Sequence, residues 1–173
     1  NSKNLWFNNS THILDLMLFY FGEFRIHQSI KETFNNSNHF DTFNLLLSTT
    51  KNIPIHLIAN WNIPSNFSIT INFNNSIIKL SPIEYGCLYK GYDIIEPSSD
   101  NPIRKYKPKI IKEFFSISTH DSFKPGFLNQ LKYFFNLMNK NEMNKYKSTT
   151  INDILFFSEF IESIYKFKLY EKQ

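Results

Sequence analysis

The stretch Asn8–Gly22 (NNSTHILDLMLFYFG) constrains the fold more than any other part of this chain. Ser10 or Thr11 can cap the start of a helix, and Gly22 sits where a helix stops. Between them Ile13, Leu14, Leu16, Met17, Leu18, Phe19, Tyr20 and Phe21 are apolar or aromatic. A helix apolar on most of its faces belongs inside a fold or between two layers. Only His12 and Asp15 interrupt it, and their i, i+3 spacing sets them on one face. Asn8 and Asn9 lie just before the first turn, close to that face. Such a polar cluster at the mouth of a buried helix is either a satisfied cap or a site. The residues alone leave both readings open.

Length allows one domain, residues 1–173, with a sizeable core. With 19 Phe, 9 Tyr and 2 Trp, that core should be bulky. The formal charge of +4 comes without a long run of like charges and is a weak argument for nucleic acid. Cys87 is the only cysteine, so no intramolecular disulfide or cysteine zinc cluster can form, and a reducing cytoplasm fits. The apolar run Ile13–Phe21 is too short to span a bilayer. The chain lacks an initiator Met and reaches its first helix almost at once, as the later part of a longer protein would.

After Gly22 the pattern becomes extended. Phe24–Phe34, Phe43–Thr49 and Ile53–Asn60 read as strands, with a tight reversal at Lys51-Asn52. Phe67–Phe73 alternates strictly, and Asn74-Asn75 before Ser76–Leu80 predicts a two-residue hairpin in which Asn accepts positive φ. Ile83–Leu88 and Tyr92–Glu96 read as a further strand pair turning at Lys90-Gly91. Residues Pro97–Pro108 read as a surface loop, and Lys109–Ser118 fits either a strand or a short helix. Pro125–Asn139 carries the stripe of an amphipathic helix. Thr149 or Thr150 caps a last helix, Ile151–Phe167, with Ile154, Leu155, Phe157, Phe160, Ile161, Ile164 and Tyr165 inward. Segregated helices around consecutive strands predict an α+β fold: a mainly antiparallel, open-faced sheet of about six or more strands with helices on one face.

Two segments carry a resemblance. Thr11-His12-Ile13-Leu14-Asp15-Leu16-Met17 followed by Phe21-Gly22 is similar to a His-x-x-Asp-Leu helix ending in Gly. Lys124-Pro125-Gly126-Phe127 with Gln130 and Phe134 is similar to a segment that opens a late helix. Both resemble the C-terminal domain of the glucose–fructose oxidoreductase / inositol dehydrogenase / MocA family, over essentially the whole chain. The resemblance implies the substrate-binding and oligomerisation half of an NAD(P)-dependent oxidoreductase. Such an enzyme moves a hydride to or from a sugar or sugar nucleotide, here with a leaning towards surface-polysaccharide biosynthesis.

NAD or NADP would be held by an N-terminal Rossmann domain absent from this chain, whose four scattered glycines form no dinucleotide fingerprint. The fragment is therefore expected to bind no cofactor and to be inactive alone. By the same resemblance His12 is the catalytic residue, as acid/base or as the group that orients a hydroxyl, with Asp15, Asn8, Asn9 and Lys124 as substrate contacts and no metal. Many members carry an Asp where this chain has Asn8, and an amide takes no proton. The alternative is a non-catalytic oligomerisation or interaction domain of the same fold. Expected partners are a small sugar substrate and a second copy docked on the open sheet, with neither nucleic acid nor membrane.

The remaining candidates read as structural. Trp6 and Tyr85 suit stacking on a sugar or base but fit a core better. Arg104 could meet a diphosphate, and His120 and Asp121 could cap the helix after Pro125 or line a cleft. His27, His39 and His56 have no metal-ligand spacing. Tyr89, Tyr92 and Tyr106 beside lysines resemble a nucleic-acid platform, yet an aromatic interface between copies explains them better.

Overall fold

The computed structural model describes residues 6–33, 40–115, 126–138 and 150–167. The described residues form an α+β fold with seven antiparallel strands, divided between a three-stranded and a four-stranded sheet. The chain forms two compact units: Asn1–Pro64 together with Asn144–Gln173, and Ser65–Met143.

In the first unit, helix α1 (Thr11–Phe21) follows a π-helical turn, Trp6–Ser10. That turn overrides the expected cap. Ser10 sits in helical conformation with no side-chain bond to the backbone, because the chain is already coiled when it arrives. Thr11 Oγ1 instead donates back to the Phe7 carbonyl at 3.2 Å. Gly22 does end the helix, at φ +77°, where a side chain would be strained. One face of α1 is buried through Ile13, Leu14, Met17 and Leu18, whereas Phe19 and Tyr20 are exposed. The helix therefore lies on the unit's surface and not between two layers.

Strands β1 (Phe24–Glu32), β2 (Thr42–Thr49) and β3 (Pro54–Asn60) pair in sequence order. Directly paired residues share a face, so Phe24, Ser29, Phe43, Leu45, Leu47 and Thr49 line the buried side. The reversal after β2 is fixed by Thr49, whose Oγ1 accepts from the backbone N–H of Lys51 and Ile53 at 3.2 and 3.1 Å. Asn52 supplies the positive φ, +60°.

The last helix, α3 (Ile151–Lys166), packs on α1 and β1. Thr150 caps it in a full capping box with Asp153. Phe157, Phe160, Ile161 and Ile164 are buried, but Ile154 and Leu155, expected inward, are exposed. Phe24 meets Phe160 edge-to-face at 4.8 Å, and Trp6 meets Phe43 and Trp61 at 5.3 Å each. At the far end Lys31 Nζ donates to the carbonyls of Ile164, Tyr165 and Phe167 at 3.3, 3.2 and 2.9 Å. It neutralises the negative end of the helix, and burial lowers its pKa.

The second unit is a meander of β4 (Ile69–Asn72), β5 (Ser76–Leu80), β6 (Tyr85–Ile95) and β7 (Lys105–Phe115), followed by α2 (Phe127–Met138). The β4–β5 hairpin turns at Asn74-Asn75, closed by Phe73 N–H to the Ser76 carbonyl at 2.8 Å. Neither Asn has positive φ, so the turn is not of the expected mirror-image kind.

The expected strand pair around Lys90-Gly91 is instead one strand. Gly91, at φ +68°, lets β6 bulge between Tyr89 and Tyr92 and continue to Ile95. The expected loop is likewise shorter, because Pro108 lies within β7, opposite Tyr92. As an edge strand β7 can spare the missing N–H. The pairing of β5 stops at Lys90, so the outer parts of β6 and β7 run on as a two-stranded ribbon.

Candidate functional site

His12 stands exposed in the first turn of α1, and Asp15, one turn later, is half-buried and engaged by a neighbour. Asn8 and Asn9 belong to the π-helical turn ahead of them, but their side chains lie outside those described. Lys124, His39, His120 and Asp121 lie outside the described residues altogether. His12, Asp15 and the Asn8–Asn9 backbone thus share the N-terminal end of one helical segment.

Two histidine pairs occupy the solvent side of the three-stranded sheet. The β1 register slips between Ile26 and Gln28, and the bulged His27 sets its Nε2 2.6 Å from Ser48 Oγ. His56 Nε2 lies 2.8 Å from Asn44 Oδ1. The first pair has the reach of a base and a hydroxyl nucleophile. Sequence spacing missed it, since 21 residues separate the partners and only the bulge joins them. Among the described residues no three His, Cys, Asp or Glu converge as metal ligands.

On the second sheet Tyr85, Cys87 and Glu113 share a face. Tyr85 OH donates to Glu113 Oε1 at 3.0 Å and accepts from Cys87 Sγ at 3.3 Å. The bond to Cys87, then that to Glu113, pushes the Tyr85 pKa well above the ordinary tyrosine value. The Tyr89 phenol is raised as well, chiefly through Cys87. A phenol held protonated is a poor general base near neutrality, so this cluster is a cross-strand clasp.

Trp6 is fully buried and offers no stacking surface. Arg104 is taken by Glu96 at 2.7 Å, and bonds to Tyr106 and Glu96 raise its pKa. The β6–β7 ribbon has two unlike faces. Tyr92 pairs with Pro108 and Ile94 with Tyr106, and the Tyr92 and Tyr106 rings meet edge-on at 6.4 Å. Asp93 pairs with Lys107 and Ile95 with Lys105 on the opposite face. Aromatics and lysines therefore do not share the surface that a nucleic-acid platform requires. What the ribbon does present is an uncharged row, Tyr92, Ile94 and Tyr106, with exposures between 55% and 65%.

Among the described residues no helix is long and apolar enough to cross a membrane. No family model, curated protein or solved structure matches the chain.

Proposed function

We propose that this chain is an interaction domain that assembles with a second copy of itself through the uncharged face of the β6–β7 ribbon. The observation that carries this reading is the row Tyr92, Ile94 and Tyr106, exposed on a ribbon with no third strand beside it among the described residues. A two-stranded ribbon is marginal in water by itself, and contiguous exposed apolar side chains mark contact surfaces. A second copy suits this face because the row itself is uncharged and the Arg104 guanidinium beside Tyr106 is neutralised by Glu96. Light scattering and sedimentation velocity test the reading. The wild-type chain should dimerise with rising concentration, and Ile94→Asp with Tyr106→Asp should stay monomeric. A wild-type chain that stays monomeric at high micromolar concentration removes it.

A second reading keeps the chemistry that the resemblance implies. Here the chain is the substrate half of a cytoplasmic NAD(P)-dependent oxidoreductase acting on a sugar or sugar nucleotide of surface-polysaccharide biosynthesis. What favours it is His12, solvent-facing one turn before Asp15, where a substrate hydroxyl can reach the imidazole. An exposed imidazole can move the hydroxyl proton while hydride passes to or from a nicotinamide held by another domain. With Asn8 in place of the family Asp, His12 would act without a carboxylate behind it. The test is NAD(P) binding and turnover of a sugar nucleotide by the full-length protein. His12→Ala should abolish turnover and leave cofactor affinity unchanged; equal activity in that variant excludes the role.

A further inference from the structure

The register slip in β1 does more than interrupt a ladder. Ile26 pairs with Leu47 and Ser29 with Leu45, so both stand on the helix-facing side of the sheet. Strict alternation could not keep residues three apart on one face. The extra residue of the bulge resolves this, and His27 and Gln28 between them both stand towards the open side. That re-aiming carries the His27 imidazole across to β2, where its Nε2 lies 2.6 Å from Ser48 Oγ.

The neighbours of Ser48 complete a set. Its direct strand partners are Arg25 on β1 and Pro54 on β3, and Leu46 precedes it by two residues on β2. All three therefore share its face of the sheet. Ser48 is buried, whereas Arg25, His27, Leu46 and Pro54 are exposed around it. A hydroxyl is a weak nucleophile until a base takes its proton, and His27 stands within reach of that proton. Arg25 adds a cation beside the same hydroxyl, where an oxygen that gains charge during acyl transfer can be met. On the side of Ser48 away from Arg25, Leu46 and Pro54 offer an uncharged shelf, which fits an apolar acyl group.

We infer that Ser48 and His27 form a catalytic dyad that hydrolyses carboxylic esters with an uncharged acyl group. Ser48 Oγ attacks the ester carbonyl carbon as its proton passes to His27 Nε2, and the carbonyl oxygen takes up negative charge beside Arg25. The bond from that carbon to the leaving oxygen then breaks, and the proton on His27 passes to the departing alcohol. Water attacks the acyl group on Ser48, giving its proton to His27. The carbon–Oγ bond breaks, Ser48 takes the proton back, and the carboxylic acid leaves. The activity uses neither His12 nor the β6–β7 ribbon, so it stands whether or not the readings above hold.

Two probes on the full chain test this: a fluorophosphonate, from which Ser48 Oγ displaces fluoride, and p-nitrophenyl butyrate as the ester. Mass spectrometry with peptide mapping should place a single fluorophosphonate adduct on Ser48. His27→Gln should slow both labelling and ester cleavage roughly a hundredfold or more, and this exposed position leaves the core untouched. Arg25→Met should slow ester cleavage about tenfold, less than a buried donor would, because solvent screens an exposed guanidinium. His56→Gln, which loses only the bond to Asn44 on the same sheet, should react like wild type. A wild-type chain that takes no label on Ser48 overturns the dyad and leaves its hydrogen bond a brace for the bulge. Labelling of His27→Gln at the wild-type rate also overturns it, as does ester cleavage that survives Ser48→Ala, since imidazole alone would then suffice.

Discussion

Tyr85 shows at the scale of one residue how this sheet holds its strands in register. Its phenol sits between the Cys87 thiol and the Glu113 carboxylate, and both raise its pKa above the value of 10.0 for a free tyrosine. A pKa raised on folding adds stability that is fully present below the unfolded value and lost as pH climbs through the folded one. The protein should therefore lose stability above pH 10 as Tyr85 ionises. In phenolate absorbance titrations, Cys87→Ala and Glu113→Gln should each move the latest-ionising phenol back towards pH 10. No change in either variant would refute the clasp.

Ser29 presents the reverse case. Its hydroxyl is fully buried on the helix-facing side of β1 and has no hydrogen-bond partner among the described residues. A buried unpaired hydroxyl costs about 1 kcal/mol or more, so Ser29→Ala should stabilise the fold by about that amount in a urea titration. A loss of stability would reveal a partner for the hydroxyl.

Sequence periodicity revealed His12 and Asp15 as neighbours, because i, i+3 spacing needs only the helix. It did not reveal that Ser10 fails to cap, which depends on a π-helical turn anchored by the buried Trp6. Nor did it reveal the His27–Ser48 contact, which depends on a register slip between strands. The i, i+3 neighbours and the β4–β5 hairpin were legible; what hung on a π-helical turn or a register slip was not.

Among the elements, β6 is where expectation and structure part most clearly. Lys90-Gly91 has the composition of a turn, yet Gly91 produces a bulge that lets the strand continue and build the ribbon. Glycine marks both outcomes, and only the partner strand selects between them.

The two β6 glycines separate on substitution. A Cβ on Gly86 would lie 2.6 Å from Leu80 Cδ2 and 3.3 Å from Phe114 Cδ2, whereas one on Gly91 meets nothing within 4 Å. Gly86→Ala should cost about 1–3 kcal/mol through crowding. Leu80→Ala should recover part of that cost, because Leu80 is the nearest obstacle. Gly91→Ala should cost roughly 1–2 kcal/mol through left-handed strain alone, with no such rescue. Double-mutant cycles by denaturant unfolding distinguish these causes, and additivity of Gly86→Ala with Leu80→Ala would exclude crowding.

Across the whole molecule, the order of helix, strands and helices was legible from periodicity, but the partition into two units was not. Strands β3 and β4 are consecutive in sequence and equally amphipathic, so nothing local says that the sheet ends between them. The consequence lies in connectivity. The unit of α1, β1, β2 and β3 is completed only by α3, which returns after Ser65–Met143 has intervened. Helix α3 supplies Phe157, Phe160, Ile161 and Ile164 to that core. Burial of four such side chains contributes on the order of 6–12 kcal/mol, comparable with the whole stability of a typical domain. Lys31 adds to this dependence, since the carbonyls it binds belong to the end of α3.

A chain ending at Met143 should therefore leave β1, β2 and β3 without their covering layer. Hydrogen exchange followed by mass spectrometry should show their amides losing protection, while those of β4–β7, which belong to the continuous unit, keep it. A synthetic peptide spanning Asn144–Gln173 should restore protection to the first sheet, and one carrying Phe160→Ala and Ile164→Ala should not. Full protection of β1–β3 in the truncated chain would mean that α3 is not needed to complete the first core.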